Sequence, residues 1–377
     1  MNPAPAEIDA KLIGRGRRAY GEPALHLAAA ASALMILLML ASLLVVLFVA
    51  AAPSIRRFGG DFLVSSAWRA NPLPILKLNA KGKPIRDPRT GMKVVDRYDP
   101  PRFGALASIS GTAQTSTIAL IMAVPLSLGA SLYLVRIAPL WMVTPISFLI
   151  EFLAAIPSIA YGLWGMFVLG PWMGGPARWD RIFGFLPFPA GIESRFVSIF
   201  RRIPGFGWII EQRVSGKLVS IPATGRDILV AGIILGIMVI PIITAISRDV
   251  LRSVPRAQME GTIALGATWW QSCVEMIKFS RSGLFGAIIL GLARAAGETM
   301  AVLMVMGSTP MVTASPLNAG ATMASTLAGE FPEAATNDLH RGALMELALI
   351  LLVMSLIFNV VARYLVVGKN IRTAAAH

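Results

Sequence analysis

Cysteine and charged side chains are scarce in this 377-residue chain. The single cysteine, Cys273, excludes an intramolecular disulfide. Only 14% of the residues are charged whereas 55% are hydrophobic, and the mean hydropathy is +0.68. Soluble globular domains carry about a quarter charged residues, so this composition is typical of a protein that crosses a membrane several times.

Motifs for nucleotide hydrolysis and for metal chemistry are missing from the sequence. No GxxxxGK[ST] phosphate loop occurs, so we expect that this chain does not hydrolyse ATP itself. The histidines His26, His340 and His377 are scattered, and no cluster of His, Cys and carboxylate residues has the spacing of metal ligands. We therefore expect no catalytic site, no metal site and no cofactor bound by this chain.

The formal net charge is +14, which raises the question of a polyanionic partner. The basic residues are dispersed over segments between hydrophobic runs, and no basic module with interleaved aromatic residues is present. This distribution favours anionic lipid headgroups or an anionic solute over nucleic acid.

Long hydrophobic runs dominate the sequence, and a bilayer is crossed by about 20 apolar residues in a helix. The first run is longer than the apolar region of about 7–15 residues in a signal peptide, so we expect it to be retained as a membrane helix. The sequence predicts an all-α, polytopic membrane helical bundle of six transmembrane helices, with both termini on one side. The predicted spans are 24–52, 111–135, 141–172, 228–246, 283–307 and 343–367.

The segments between the spans differ in character. The basic, proline-rich stretch 53–110 predicts an extended loop or a small hairpin insert. The insert 174–227 predicts either a folded loop or, at 196–212, an amphipathic helix on the membrane surface. Residues 1–23 and 368–377 form the terminal segments. Charge does not orient the chain, because the two long loops are more basic than the segments opposite them.

The polar stretch 249–282 predicts two short helices. Ser253 and Pro255 suit the first turn of a helix, and Gly266 suits a left-handed residue at its end. Thr268 and Gln271 have the spacing of a capping box, which starts a second helix. The stretch is then either a connector between spans or a docking element for another protein.

Arg294, Glu298 and Glu151 are charged residues that lie within predicted apolar spans. Arg294 and Glu298 are four residues apart, so a continuous helix places them on one face, where they form either a structural ion pair or part of an anion path. The planar fork of arginine matches phosphate oxygens. Glu151 is either a buried structural acid paired with another helix or a pathway residue.

Three stretches carry a resemblance to a known family. The run GAIILGLARAAGETMAV, 286–302, and the run IEFLAAIPSIAYGLWGMFVLGP, 150–171, are similar to PstC-type permease subunits of phosphate importers. The segment from Glu260 to Gly266 resembles the EAA loop of such permeases, although Gly261-Thr262 stand where the family usually has two alanines. Ile277-Lys278-Phe279 also depart from the usual apolar residue, leucine and proline.

The resemblance implies a type I ABC importer permease (MetI-like) fold over 111–367, in the cell inner membrane. It places the loop 249–282 and both termini in the cytoplasm, and 53–110 and 174–227 outside. It implies a substrate pathway that includes Arg294 and Glu298, with Glu151 as a further pathway candidate. The residues it implies for coupling to the ATPase are Glu260, Ala264, Gly266 and Thr268.

The implied partners are a PstA-like second permease, a nucleotide-binding ATPase dimer that binds ATP and Mg, an external phosphate-binding protein and the lipid bilayer. The expected function is translocation of inorganic phosphate. The alternatives are a permease for another oxyanion, the PstA-type partner subunit, a non-transporting membrane scaffold in phosphate signalling, and a membrane enzyme.

Overall fold

A computed structural model of the chain describes residues 21–76, 93, 95–174, 211–214, 217–220 and 225–374. The chain divides into two compact units, residues 1–50 and 51–377. Helix α1 (Gly21–Phe58) supplies the described part of the first unit. There its apolar side chains from residue 25 onward are almost all exposed, as suits a helix surrounded by lipid.

The second unit is predominantly helical and contains two short β-hairpins among its described residues. After the end of α1 it consists of α2 (Asp61–Val64), β1 (Leu73–Leu76), β2 (Val95–Asp99), α3 (Leu106–Arg136), α4 (Leu140–Ala155), α5 (Ser158–Trp164), a π-helical turn (Gly165–Leu169), α6 (Gly170–Gly174), β3 (Glu211–Val214), β4 (Lys217–Ser220), α7 (Ile228–Arg252), α8 (Arg256–Ala264), α9 (Trp269–Phe279), α10 (Arg281–Ala296), α11 (Met300–Met306), α12 (Met323–Ala334) and α13 (Asp338–Ala374).

Within the described ranges, four helices are long and apolar enough to cross a membrane. They are α1, α3, α7 and the first part of α13. Two further pairs pass the same test but are bent, α4 with α5–α6 by 88° and α9 with α10 by 66°. Counting each bent pair as one span gives up to six by length and composition, so the predicted all-α, polytopic membrane bundle is confirmed. The side of the membrane on which each segment lies remains a prediction.

Helix α7 lies at the centre of the second unit and packs most extensively against α3. It begins at Asp227, whose side chain accepts a hydrogen bond from the backbone N–H of Val230 at 2.9 Å. Small residues of α3, including Ala119 and Ala123, are fully buried in this interface. Small side chains let membrane helices approach closely, which strengthens van der Waals packing where no hydrophobic driving force is available.

The predicted span 141–172 is broken at Pro157. Ile156 and Pro157 are extended because proline lacks an N–H and disfavours a helical conformation in the residue before it. The hydroxyl of Tyr161 donates a hydrogen bond across the bend to the carbonyl of Leu153 at 2.8 Å. A backbone acceptor near the break is therefore satisfied within the protein, as a membrane environment requires.

The long loops fold in part as hairpins. Strands β1 and β2 pair antiparallel, with Leu73 opposite Asp99, in agreement with the hairpin alternative for the first loop. The Arg69 guanidinium bonded to Asp99 holds the pKa of that carboxyl below its usual range, and Arg102 contributes a second ion pair. In the second loop β3 and β4 pair antiparallel. The predicted amphipathic helix at 196–212 falls mostly outside the described residues.

Much of the connection between α11 and α12 is buried. Gln114 on α3 donates from Nε2 to the carbonyl of Thr313 at 2.7 Å. The N–H groups of Ile228 and Leu229 donate to the carbonyls of Asn318 and Pro316 at 3.0 and 2.8 Å. The connection thus ties the N-terminal half of α3 to the first turn of α7.

Gly111 on α3 faces this connection at very short range. A Cβ atom built on Gly111 would lie 2.1 Å from the carbonyl oxygen of Ala321, whereas one built on Gly129 of the same helix meets nothing within 4 Å. The two glycines therefore form a matched pair for substitution.

We expect Gly111→Ala to lower the free energy of unfolding by about 1–3 kcal/mol, because the backbone of the connection must move away from α3. Gly129→Ala is expected to raise it by about 0.5–1 kcal/mol through helix propensity. The measurement is the thermal unfolding midpoint of the purified full chain in detergent. Equal midpoints for the two variants would contradict the close approach.

Candidate functional site

The predicted span 283–307 is not one helix, and this changes the geometry of Arg294 and Glu298. Helix α10 ends at Ala296 and α11 begins at Met300, so Glu298 lies in the break. No ion pair within 4.0 Å joins the two residues in the described part of the chain. The expectation that one continuous helix carries both residues is therefore wrong, and the described residues do not show the ion pair of the structural alternative.

Glu298 is buried, with 8% of its surface exposed. Its Oε1 atom accepts a hydrogen bond from the backbone N–H of Ala301 at 3.5 Å, in the first turn of α11. The first N–H groups of a helix have no partner inside the helix, and a carboxylate near them is stabilising. The acid thus positions the start of α11 at the break.

Arg294 lies one turn before the break and is exposed on the surface of the isolated chain. It has no ion-pair partner among the residues described. Nearby, Gly291 packs against α7, where an added Cβ would lie 2.7 Å from the side chain of Ile243. The guanidinium is therefore carried by a helix that is held tightly against the central helix.

Glu151 has a partner on another helix, as one of its two interpretations requires. Its Oε1 lies 3.4 Å from Nη2 of Arg248 near the end of α7. The Arg248 side chain is 11% exposed and that of Glu151 is 61% exposed, so the cation rather than the acid is buried. Helix α4, which carries Glu151, has no buried residue and presents its apolar side chains outward.

The predicted pair of short polar helices is present as α8 and α9. Gly266 between them has φ of 86°, the left-handed conformation expected there. The Thr268 hydroxyl accepts from the N–H of Gln271 at 3.3 Å, and the Thr268 N–H donates to the Gln271 side chain at 2.7 Å. The capping box is therefore confirmed.

The turn between α8 and α9 presents an apolar surface. Leu265 is 90% exposed, Trp270 is 60% exposed, and Glu260, Ala264 and Gly266 are also exposed. Exposed apolar groups gathered around one turn are typical of a protein contact surface. Cys273 does not belong to this surface, because it is fully buried against Leu251, Met259 and Met276.

Two polar contacts near the N-terminal end of α3 could not be predicted from the sequence. The Glu330 carboxylate accepts from Trp68 Nε1 at 2.6 Å and lies 2.8 Å from His340 Nε2, while Phe103 stacks on the His340 ring. These residues are separated by as many as 262 positions, so no local pattern could pair them. Arg248 was missed for the same reason, since it lies 97 residues from Glu151.

A line of small hydroxyl side chains on α3 was also missed. The Ser108 and Thr326 hydroxyls are 3.0 Å apart, and the N–H of Met323 donates to Thr112 Oγ1 at 3.0 Å. Ser108 and Thr112 are four residues apart and therefore lie on one face of α3. This spacing is a sequence signal for a polar contact surface on the helix. The surface joins α3 to α12 through polar contacts.

The arrangement defines a class of protein. Several helices of membrane-spanning length, an exposed arginine one turn before a break, a buried acid in that break and a polar helix pair between two spans are the layout of a membrane transport permease.

Comparison with curated proteins identifies the family, while no protein-family model matches the chain. The chain is 36% identical to the phosphate transport system permease protein PstC of Mesorhizobium japonicum, over 73% of this chain and 76% of that protein. It is 35% identical to PstC of Haemophilus influenzae, over 83% and 82%. It is 37% identical to PstC 1 of Mycobacterium tuberculosis, over 70% and 72%.

The chain therefore belongs to the PstC family of phosphate transport system permease proteins. Its helices of membrane-spanning length make it a multi-pass inner-membrane protein of that family.

Substitutions in the capping box test whether it stabilises the first turn of α9. We expect Thr268→Ala to speed amide hydrogen exchange in the first turn of α9 by about fivefold, because loss of such a cap costs about 1 kcal/mol. Gln271→Ala, which leaves the Thr268 hydroxyl in place, should have a smaller effect. The measurement is exchange with mass spectrometry on the full chain. Unchanged exchange in Thr268→Ala would show that the cap does not hold the helix.

Proposed function

We propose that this chain is the permease subunit of an ATP-driven importer that translocates inorganic phosphate across the cell inner membrane. Membership of the PstC family carries the proposal. The exposed guanidinium of Arg294, on a helix fixed against the centre of the bundle, supports an anionic cargo.

Arg294 binds the cargo in this proposal. Its planar fork matches two phosphate oxygens at once, and its charge is permanent, so it lowers the barrier to an anion among apolar helices. Glu298 is a positioning residue, because its carboxylate bonds to the first turn of α11 rather than to the guanidinium. Glu151 acts through Arg248 and holds α4 against the end of α7.

The remaining subunits supply what this chain does not carry. A PstA-like second permease covers the exposed apolar helices, and an external phosphate-binding protein delivers the cargo. An ATPase dimer binds ATP and Mg²⁺, and it contacts the turn that includes Glu260, Ala264, Gly266 and Thr268. Closure of that dimer moves α8 and α9 and changes the side to which the path opens.

The proposed contact with the ATPase orients the chain. It places α8, α9 and both termini in the cytoplasm. The last turn of α7, which leads to α8, and the last turn of α3, which lines a cavity with α8, lie at the same side. The buried connection between α11 and α12 then lies at the external end, where it ties α3 to α7.

Arg294→Gln tests the role of the guanidinium in transport. We expect uptake of labelled phosphate by the assembled transporter to fall by about tenfold or more, since a hydrogen bond to a charged group contributes about 1.5–3 kcal/mol. Arg281→Gln is the matched control, because Arg281 is an exposed arginine at the other end of α10. Membrane insertion and co-purification with the ATPase should persist in both variants.

Unchanged uptake by Arg294→Gln would exclude the pathway role. Uptake of sulfate or molybdate in preference to phosphate would instead identify another oxyanion as the cargo.

A cysteine crosslink tests the contact with the ATPase. We expect Leu265→Cys, in a Cys273→Ser background, to crosslink to the ATPase subunit co-expressed with this chain, because Leu265 is 90% exposed at the turn. Cys273 in the otherwise unchanged chain should not crosslink, since it is fully buried. The measurement is the mass of the product after treatment with a short bifunctional reagent. A crosslink from Cys273 but not from residue 265 would place the ATPase elsewhere.

A further inference from the structure

A second basic site lies behind α8, away from Arg294. An open cavity of about 440 Å³ is lined by the last turns of α3 and α7 together with α8 and α9. Its charged residues are Arg136, Arg252, Arg256 and Glu260, and the rest of its wall is apolar. Small-molecule sites in proteins occupy about 300–1,000 Å³, so the cavity is large enough for a ligand.

The charged residues of this cavity form no ion pairs with the chain itself. Three arginines and one glutamate line it, and none of the four has an ion-pair partner within 4.0 Å in the part of the chain that the structure describes. The Nε atom of Arg136 is buried and has no hydrogen-bond acceptor there. A buried donor without an acceptor is destabilising, so the cavity is suited to a ligand that brings acceptor oxygens and negative charge.

The position of the cavity narrows the ligand chemistry. Arg136 and Arg252 are the last residues of α3 and α7, two helices of membrane-spanning length. The cavity therefore lies where the hydrocarbon gives way to the headgroup layer. Basic pockets at this level bind phosphate-containing headgroups, and arginine forks match phosphate oxygens in particular.

We propose that this cavity binds a phosphate group, carried either by inorganic phosphate or by the headgroup of an anionic phospholipid. The bound group joins Arg136 on α3, Arg252 on α7 and Arg256 on α8, and so fixes α8 to the ends of the two central helices. That this end faces the cytoplasm rests on the proposed function, whereas the binding chemistry does not.

The reactivity of Cys273, the only cysteine of the chain, indicates whether the cavity is open or closed. Leu251, Met259 and Met276 line the cavity and also pack around Cys273, which has no exposed surface. A thiol reagent reaches Cys273 only when α9 separates from α7 and α8, and that separation also opens the cavity. A ligand that holds the cavity closed therefore slows labelling of Cys273.

The test measures the rate of maleimide labelling of the full chain in nanodiscs. One arm adds inorganic phosphate to phosphatidylcholine nanodiscs, with chloride at equal ionic strength as reference. The other arm replaces part of the phosphatidylcholine by phosphatidylglycerol. At a probe concentration roughly ten times its Kd, labelling should slow by about tenfold, because only the unbound form opens.

Variants distinguish binding by the arginines of the cavity from a general effect of positive charge on the protein. Arg252→Gln with Arg256→Gln should abolish the protection, and the corresponding double lysine variant should retain part of it. Arg281→Gln, which removes an exposed arginine outside the cavity, should leave it unchanged. A labelling rate equal to that of the unmodified chain without probe verifies that each variant is folded.

Each outcome decides the proposal. Protection by inorganic phosphate alone identifies the free anion as ligand, protection by phosphatidylglycerol alone identifies the headgroup, and protection by both identifies the shared phosphate chemistry. No protection by either probe, or protection that survives in the double glutamine variant, overturns the proposal. Transport is not measured here, so a failure leaves the Arg294 pathway untouched.

Discussion

Backbone hydrogen bonding is the constraint on which this structure depends. In hydrocarbon an unpaired N–H or C=O costs several kcal/mol, so a chain can leave the helical state only where protein groups replace the lost bonds. The interruptions at Pro157 and after Ala296 obey this rule. At Pro157 the Tyr161 hydroxyl satisfies the carbonyl of Leu153, and after Ala296 the Glu298 carboxylate accepts from the N–H of Ala301. The same rule explains why the connection between α11 and α12 is fastened to α3 and α7.

The packing of the helices distinguishes a rigid part of the molecule from a part that can move. In the interface of α3 with α7, fully buried alanines of α3 pack against larger buried side chains of α7, which leaves little room for change. Helices α8 and α9 are short and meet at a left-handed glycine whose surroundings are open. Motion at α8 and α9 therefore reaches the bundle through the ends of α3, α7 and α10 rather than through deformation of the central interface.

Much of the fold could be predicted from the sequence, because the length of a hydrophobic run and the cap of a helix depend only on residues that are close together in the chain. The six-span bundle, the left-handed Gly266 and the capping box at Thr268 required only residues within a few positions of one another. The break after Ala296 was missed because Gly297 reads equally well as a packing residue inside a helix. The partners Arg248 and Glu330 were missed because they are brought to Glu151 and Trp68 by tertiary folding alone.

The exposure of Arg294 has a consequence for the life of the unassembled subunit. A charged residue near the centre of a membrane helix raises the free energy of insertion by about 2.5–3.5 kcal/mol. In the proposed complex that charge faces the path of the anion, whereas a solitary copy must turn it toward lipid or expose it to a non-native neighbour. If the proposed second permease shields this charge, an unassembled copy carries the full cost of its exposure, and assembly removes it.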